Sequence, residues 1–200
     1  MSHTSFSVEK HRAIWLVQLQ SDDGTNRLTR DCVISLTEAL RGLKGDRRGL
    51  VIAGNNSFFS AGADLEEIAR LTATAAYGFS KAGQALMQAV EDFPAPVYAT
   101  ISGYCMGGGL DLALACHRRI AAPHAVFGHR GAALGLITGW GGTQRLPRLI
   151  GRSRALEMFV AAEKVNAAGA LQIRLVDAIA DDPIAEAILR ISTMGGFKNP

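Results

Sequence analysis

Short, nearly continuous apolar runs constrain this chain more than any other feature: Ala13 to Leu19 (AIWLVQL), Gly49 to Ala53 (GLVIA) and Val97 to Ile101 (VYATI). Each predicts a strand, the last two buried on both faces, because none alternates apolar with polar residues. Between the runs the apolar period changes. Val33, Leu36, Leu40 and Leu43 follow helical spacing and predict a helix from Thr29 to Leu43. Phe79, Leu86, Val90 and Phe93 mark a second amphipathic helix, which ends before Pro94 and Pro96. Gly109 to Cys116 begins another. Arg118 to Ala122 and Ala125 to Phe127 read as short strands, Arg154 to Ala162 and Asn166 to Gln172 as helices, Leu175 to Ile179 as a last strand and Pro183 to Ile191 as a last helix. Gly54 to Gly62, Ser102 to Gly108 and Gly128 to Trp140 read as loops, and the tail from Gly195 to Pro200 as mobile. Strands alternating with helices predict an α/β chain with a largely parallel sheet. No internal repeat is visible.

At 200 residues and 48% hydrophobic content the chain can bury a full core as one domain, without disulfides or metals. A net charge of +3 and 6% aromatics argue against a dedicated nucleic-acid binder, which needs a clustered basic face and stacking rings. Cys32, Cys105 and Cys116 form no CxxC pair, which argues against a disulfide framework or a zinc ribbon and for a reduced, cytoplasmic protein. Met1 to Arg12 is polar and carries no signal-peptide pattern. The long apolar stretch from Val97 to Cys116 is interrupted by Gly103, Gly107, Gly108, Gly109 and Asp111, which argues against a membrane span.

Glycine, 22 of 200 residues, is clustered, and two clusters follow strands and precede helices. They are Phe59-Ser60-Ala61-Gly62-Ala63-Asp64-Leu65 and Gly103-Tyr104-Cys105-Met106-Gly107-Gly108-Gly109-Leu110-Asp111. Helix-start N–H groups lack intrahelical partners and sit at the positive end of the helix dipole. One such group from each turn could hold a single oxygen that becomes negative, as in the enolate of a thioester. Equally, the glycines could serve only tight turns and close packing. No GxGxxG or GxxxxGK[ST] occurs, which disfavours a nucleotide-binding domain.

Taken in order, FSAGADL, GYCMGGGLDLALAC and FGHRGAALGLITGWGGTQRLPRLIG resemble the enoyl-CoA hydratase/isomerase (crotonase) family, from about Phe6 to Ala180. The resemblance implies a crotonase-like spiral of ββα units over residues 1–180, with a shortened C-terminal helical region over 181–200. It implies an acyl-CoA substrate and enolate chemistry with no metal and no cofactor beyond the coenzyme A of the substrate. A homo-oligomer, trimer or hexamer, is the implied assembly. Carried onto this sequence, the backbone N–H groups of Ala63 and Gly108 form the oxyanion hole. Ala61, Ala63, Asp64 and Leu65 line the coenzyme A path. Of the two glutamates that hydratases of the family resemble one another in carrying, one position holds Asp111 and the other Gly131.

Asp111 is therefore the main acid/base candidate, in a helix first turn where the dipole favours its ionised form; its alternative role is helix capping. His129 is the nearest ionisable substitute for the missing carboxylate, or else a histidine that bonds loop backbone or a neighbouring subunit. Glu66 and Glu67 read as solvated charges. Arg27 or Lys81 are candidates for the CoA phosphates, and Arg130 is solvated or phosphate-facing. Thr138 and Trp140 adjoin the missing carboxylate, with core packing expected of the tryptophan. The leading reading is a lyase or isomerase: hydration of a 2-enoyl-CoA by default, double-bond isomerisation next, decarboxylation third. The alternative is a catalytically weakened acyl-CoA-binding or scaffolding protein.

Overall fold

The computed structural model describes residues 4–11 and 14–194. The tail from Gly195, expected to be mobile, lies outside them. Among the described residues the chain runs β1 (Thr4–Lys10), β2 (Ile14–Ser21), β3 (Arg27–Leu28), α1 (Arg30–Leu43), β4 (Gly49–Ala53), β5 (Phe58–Ser60), β6 (Gly62–Ala63), α2 (Leu65–Ala69) and α3 (Ala73–Glu91). It continues through β7 (Val97–Ile101), β8 (Tyr104–Met106), α4 (Gly108–Ala115), β9 (Arg118–Ala121), β10 (Val126–Gly128), α5 (Gly142–Ile150) and α6 (Arg152–Ala161). β11 (Val165–Asn166), α7 (Ala167–Gln172), β12 (Ala178–Ile179) and α8 (Pro183–Met194) complete it.

Six strands form one sheet in the order β1-β2-β4-β7-β9-β12, parallel from β2 onward, with β1 antiparallel on the edge. A second sheet, β11-β10-β8-β5, is parallel except for β11, and β3 pairs with β6. Three times the chain lays one strand in the first sheet, crosses to the second, and leaves by a helix: β4-β5, β7-β8, β9-β10. This is the ββα spiral. Its repeat is invisible in the sequence because the second-sheet strands have only three residues each.

Every residue of β4 and β7 is buried, because helices cover both faces. Leu50, Ile52, Val97, Ala99 and Ile101 face the main core with α1, α3 and α4. Val51 and Tyr98 face the other way, against Ala187 and Ile191 of α8. α1 begins as its sequence requires: Thr29 is extended and its hydroxyl accepts from the Cys32 N–H at 3.2 Å, a cap worth about 1 kcal/mol. Thr72 caps α3 in the same way.

Four differences from the sequence reading are physical. β1 is a strand with too little apolar patterning to announce itself, paired along its length with β2. β5, β6 and β8 lie where loops were expected, because their pairing is long-range and each has only two or three residues, too few to show a period. α5 was missed because Pro147 sits inside it. β12 is shorter than expected: Leu175 and Val176 are buried, but only Ala178 and Ile179 join the sheet.

Candidate active site

The two glycine turns meet. Gly62 has φ +96°, a conformation that side chains rarely adopt, and a Cβ there would lie 2.7 Å from the Met106 carbonyl oxygen and 3.0 Å from the Gly108 nitrogen. A Cβ on Gly108 would in turn lie 3.2 Å from the Ala63 nitrogen. Glycine at both positions thus brings the backbone of the two predicted donors together, and both residues remain half-buried. Gly108 is the first residue of α4, so its N–H has no acceptor within the helix.

The first turn is held by hydrogen bonds. Ser60 is fully buried; its hydroxyl donates to the Asn26 carbonyl at 2.7 Å and accepts from the Gly62 N–H at 3.0 Å. The Asn26 amide donates to the carbonyls of Phe58 and Phe59. Asp64 caps α2 by accepting from the Glu67 N–H, so its carboxylate is already engaged. Leu65 beside it is exposed and Ala61 half-buried. Glu67 corrects the expectation of a purely solvated charge: its carboxylate accepts from the Arg30 N–H at 2.9 Å and ties α2 to the start of α1. Arg27 pairs with Asp23 at 3.2 Å, while Arg130 and Lys81 are exposed.

The second turn is held by packing. Trp140 is buried, as expected, and stacks near Phe79 with ring centroids 5.2 Å apart. Its ring lies so close over Gly108 that a Cβ there would approach Cζ3 to 2.5 Å. Ser80 and Gln84 of α3 both donate to the Gly139 carbonyl, fixing the loop that carries the tryptophan.

One helical turn beyond Gly108, and so on the same side of α4, stands Asp111, only 1% exposed. It caps nothing. The Thr138 hydroxyl donates to its Oδ2, and Oδ1 faces His129 Nε2 at 3.4 Å. His129 is buried too and packs on Phe159, with ring centroids 5.0 Å apart. Asp111 Oδ1 and His129 Nε2 have no aligned hydrogen-bond partner. Gly142 makes room for this carboxylate, since a Cβ there would collide with Oδ1.

Burial decides the charges here. It pushes the Asp111 carboxyl up to about 7, against the Thr138 hydrogen bond, the Arg145 charge and the Gly142 N–H, which act to lower it. The dipole argument from the sequence is therefore overturned: loss of solvent outweighs the helix start. Burial also pushes the His129 imidazole down to about 4, so it is neutral at pH 7. A carboxyl poised near neutrality beside a neutral imidazole is an arrangement suited to taking up and releasing one proton.

Gly131, where a second carboxylate was expected to be missing, has φ −56°, so no backbone strain bars a side chain. The obstacle is spatial: a Cβ would lie 2.7 Å from the Leu136 carbonyl oxygen. Sequence reasoning missed Asn26, Gly142 and Arg145, none of which belongs to an apolar period or glycine cluster of the kind it followed. Among the described residues no group of three or more His, Cys, Asp or Glu stands close enough to hold a metal ion, and no helix is long and apolar enough to cross a membrane.

Comparison with known proteins shows what the sequence and the fold are similar to. A "Probable enoyl-CoA hydratase" of Bacillus subtilis (strain 168) is 44% identical over 136 residues, 68% of this chain. The match spans only 53% of that relative's length. A "Crotonyl-CoA hydratase" of Syntrophomonas wolfei is 34% identical over 90% of this chain and 70% of its own. The solved structure of an enoyl-CoA hydratase from Bacillus anthracis superposes with a TM-score of 0.90 at 31% identity, over 95% of this chain and 76% of that one. The sequence model described as enoyl-CoA hydratase/isomerase matches residues 9–193. A spiral of ββα units with its two glycine turns in contact, and this match over nearly the whole length, make the chain a member of the enoyl-CoA hydratase/isomerase family.

Proposed function

We propose that the chain binds an acyl-CoA thioester with its carbonyl oxygen between the N–H groups of Ala63 and Gly108, and that Asp111 moves the proton. The observation that carries this reading is the placement of Gly108 and Asp111 three residues apart on one face of a buried helix, with Ala63 brought against Gly108 by a glycine contact. As the thioester becomes an enolate, negative charge grows on the oxygen that the two backbone donors face. Metal and redox cofactors have no part in this reading; coenzyme A enters only as part of the substrate.

Asp111 then serves alone where two carboxylates would otherwise share the work, with neutral His129 beside it. In hydration, a water O–H bond breaks, the oxygen bonds to the β-carbon, and the proton passes to Asp111 and on to the α-carbon as the enolate collapses. In isomerisation, Asp111 takes a proton from the α-carbon of a 3-enoyl thioester and returns it to the γ-carbon. The second reaction asks less of a site with one carboxylate, so isomerase turnover should exceed hydration of crotonyl-CoA.

A panel of 2-enoyl, 3-enoyl and carboxyacyl CoA thioesters, incubated in D₂O and followed by NMR, tests this. Deuterium at the α- or γ-carbon of product is the expected result. Tight binding of every thioester with no exchange and no turnover would instead identify an acyl-CoA-binding protein.

A further inference from the structure

We infer that Thr138 is a positioning residue: by occupying Oδ2 of Asp111 it leaves Oδ1, the oxygen that faces His129, as the one atom of the carboxylate that exchanges a proton with substrate. This rests on the reading of Asp111 as the acid/base. The geometry carries it in three steps. A carboxylate has two equivalent oxygens until something distinguishes them, and here the Thr138 hydroxyl donates to one of them. The other is buried without an aligned partner, opposite an equally unpartnered Nε2 at 3.4 Å. With Oδ2 taken by a donor, a proton that joins the carboxyl has Oδ1 as its place.

The loop itself shows that position 138 is specified. Leu134, Leu136 and Ile137 are exposed, the last of them 77%, while the polar Thr138 beside them turns inward. That reverses the ordinary partition of apolar and polar side chains. The loop is fixed on both sides of the bond: Ser80 and Gln84 hold the Gly139 carbonyl, and Trp140 is locked over Gly108. Glycine at position 142 leaves the space that Oδ1 occupies, which any side chain there would take. The groups that bear on the charge of Asp111 are His129, Arg145, the Gly142 N–H, Thr138 itself and the buried Cys105 thiol.

Thr138→Val removes the hydroxyl at nearly constant shape, and Thr138→Ser keeps it. Two readouts are taken: ¹³C NMR titration of the Asp111 carboxyl in the free protein, and kcat and KM against pH with the best CoA thioester. In Thr138→Val the Asp111 titration and the acid limb of kcat/KM should both rise by about one pH unit, the scale of one charge-assisted hydrogen bond. The kcat should fall by about tenfold with KM within about twofold, and Thr138→Ser should restore all three. An unmoved titration in Thr138→Val, or a loss of kcat that Thr138→Ser does not rescue, would overturn the role. Should Thr138→Val fail to fold, Thr138→Ala carries the same readings. If Asp111→Asn kept full turnover, the acid/base reading itself would fail; an inactive Asp111→Asn with an unmoved Thr138→Val titration overturns only the inference about Thr138.

Discussion

The two helix starts at the site are built in opposite ways. Every residue from Gly109 to Ala115 of α4 is buried, and its start is wedged under Trp140. α2 has five residues, none of them buried, and is held by hydrogen bonds: Asp64 accepts from the Glu67 N–H and Glu67 accepts from the Arg30 N–H. The proposed function puts chemistry on the first and recognition on the second. A packed helix holds Gly108 and Asp111 in place, as the proposed proton transfer and oxyanion stabilisation would require. A hydrogen-bonded surface helix leaves Leu65 exposed and, on the proposed reading, could adjust around a ligand.

Substitutions should divide along that line. Asp111→Asn keeps the shape and removes the base, so kcat should fall by about 10²–10⁴ with substrate-analogue binding little changed. Full activity in this variant would move the chemistry off α4. Gly108→Pro deletes one donor and should lower kcat by about 10²–10³ in protein that remains folded. On α2 the expected effect is smaller and of another kind. Leu65→Ser should raise KM by about fivefold, roughly 1 kcal/mol of apolar contact, and leave kcat unchanged. A larger kcat effect from Leu65→Ser than from Gly108→Pro would abolish the distinction between the two helices.

Stability against pH sharpens the comparison at Asp111 and His129. The folded Asp111 carboxyl, at about 7, lies above its ordinary 3.8, so the folded state binds the proton more tightly. Stability from this group is full below pH 4 and is lost as pH rises to 7. The folded His129 imidazole, at about 4, lies below its ordinary 6.5, so its contribution runs oppositely: stability is lost as pH falls from 6.5 to 4. The two contributions oppose each other over the same window. Wild-type stability should therefore change less between pH 4 and 7 than that of a variant lacking either group. Asp111→Asn should become more stable with rising pH across that range, and His129→Gln less stable. Denaturant unfolding at half-unit pH steps reads both slopes; parallel slopes in the two variants would contradict the opposing charge states.

Much of the fold was legible in the residues that pack. β4 and β7 appear as unbroken apolar runs because both their faces are covered, and α1 as a periodic stripe because one face is. The glycine clusters announced the meeting of the two turns, since close approach of main chains leaves a compositional trace. What could not be read was the polar triad. Thr138 and Asp111 are 27 residues apart, and nothing local says that an isoleucine will face outward and its threonine neighbour inward. The direction of the Asp111 shift was misjudged for a related reason: helix position is written in the sequence, whereas complete burial is a property of the assembled core.

The wedge of Trp140 over Gly108 also equips the molecule with its own optical reporter. The chain has two tryptophans, and Trp15 lies on β2 under the ammonium of Lys10, 5.4 Å from its ring centroid. Replacing Trp15 with phenylalanine would leave a single indole pressed against the candidate oxyanion donor. Emission from that indole would register the arrival of a thioester carbonyl directly, so ligand occupancy could be followed with compounds that never turn over.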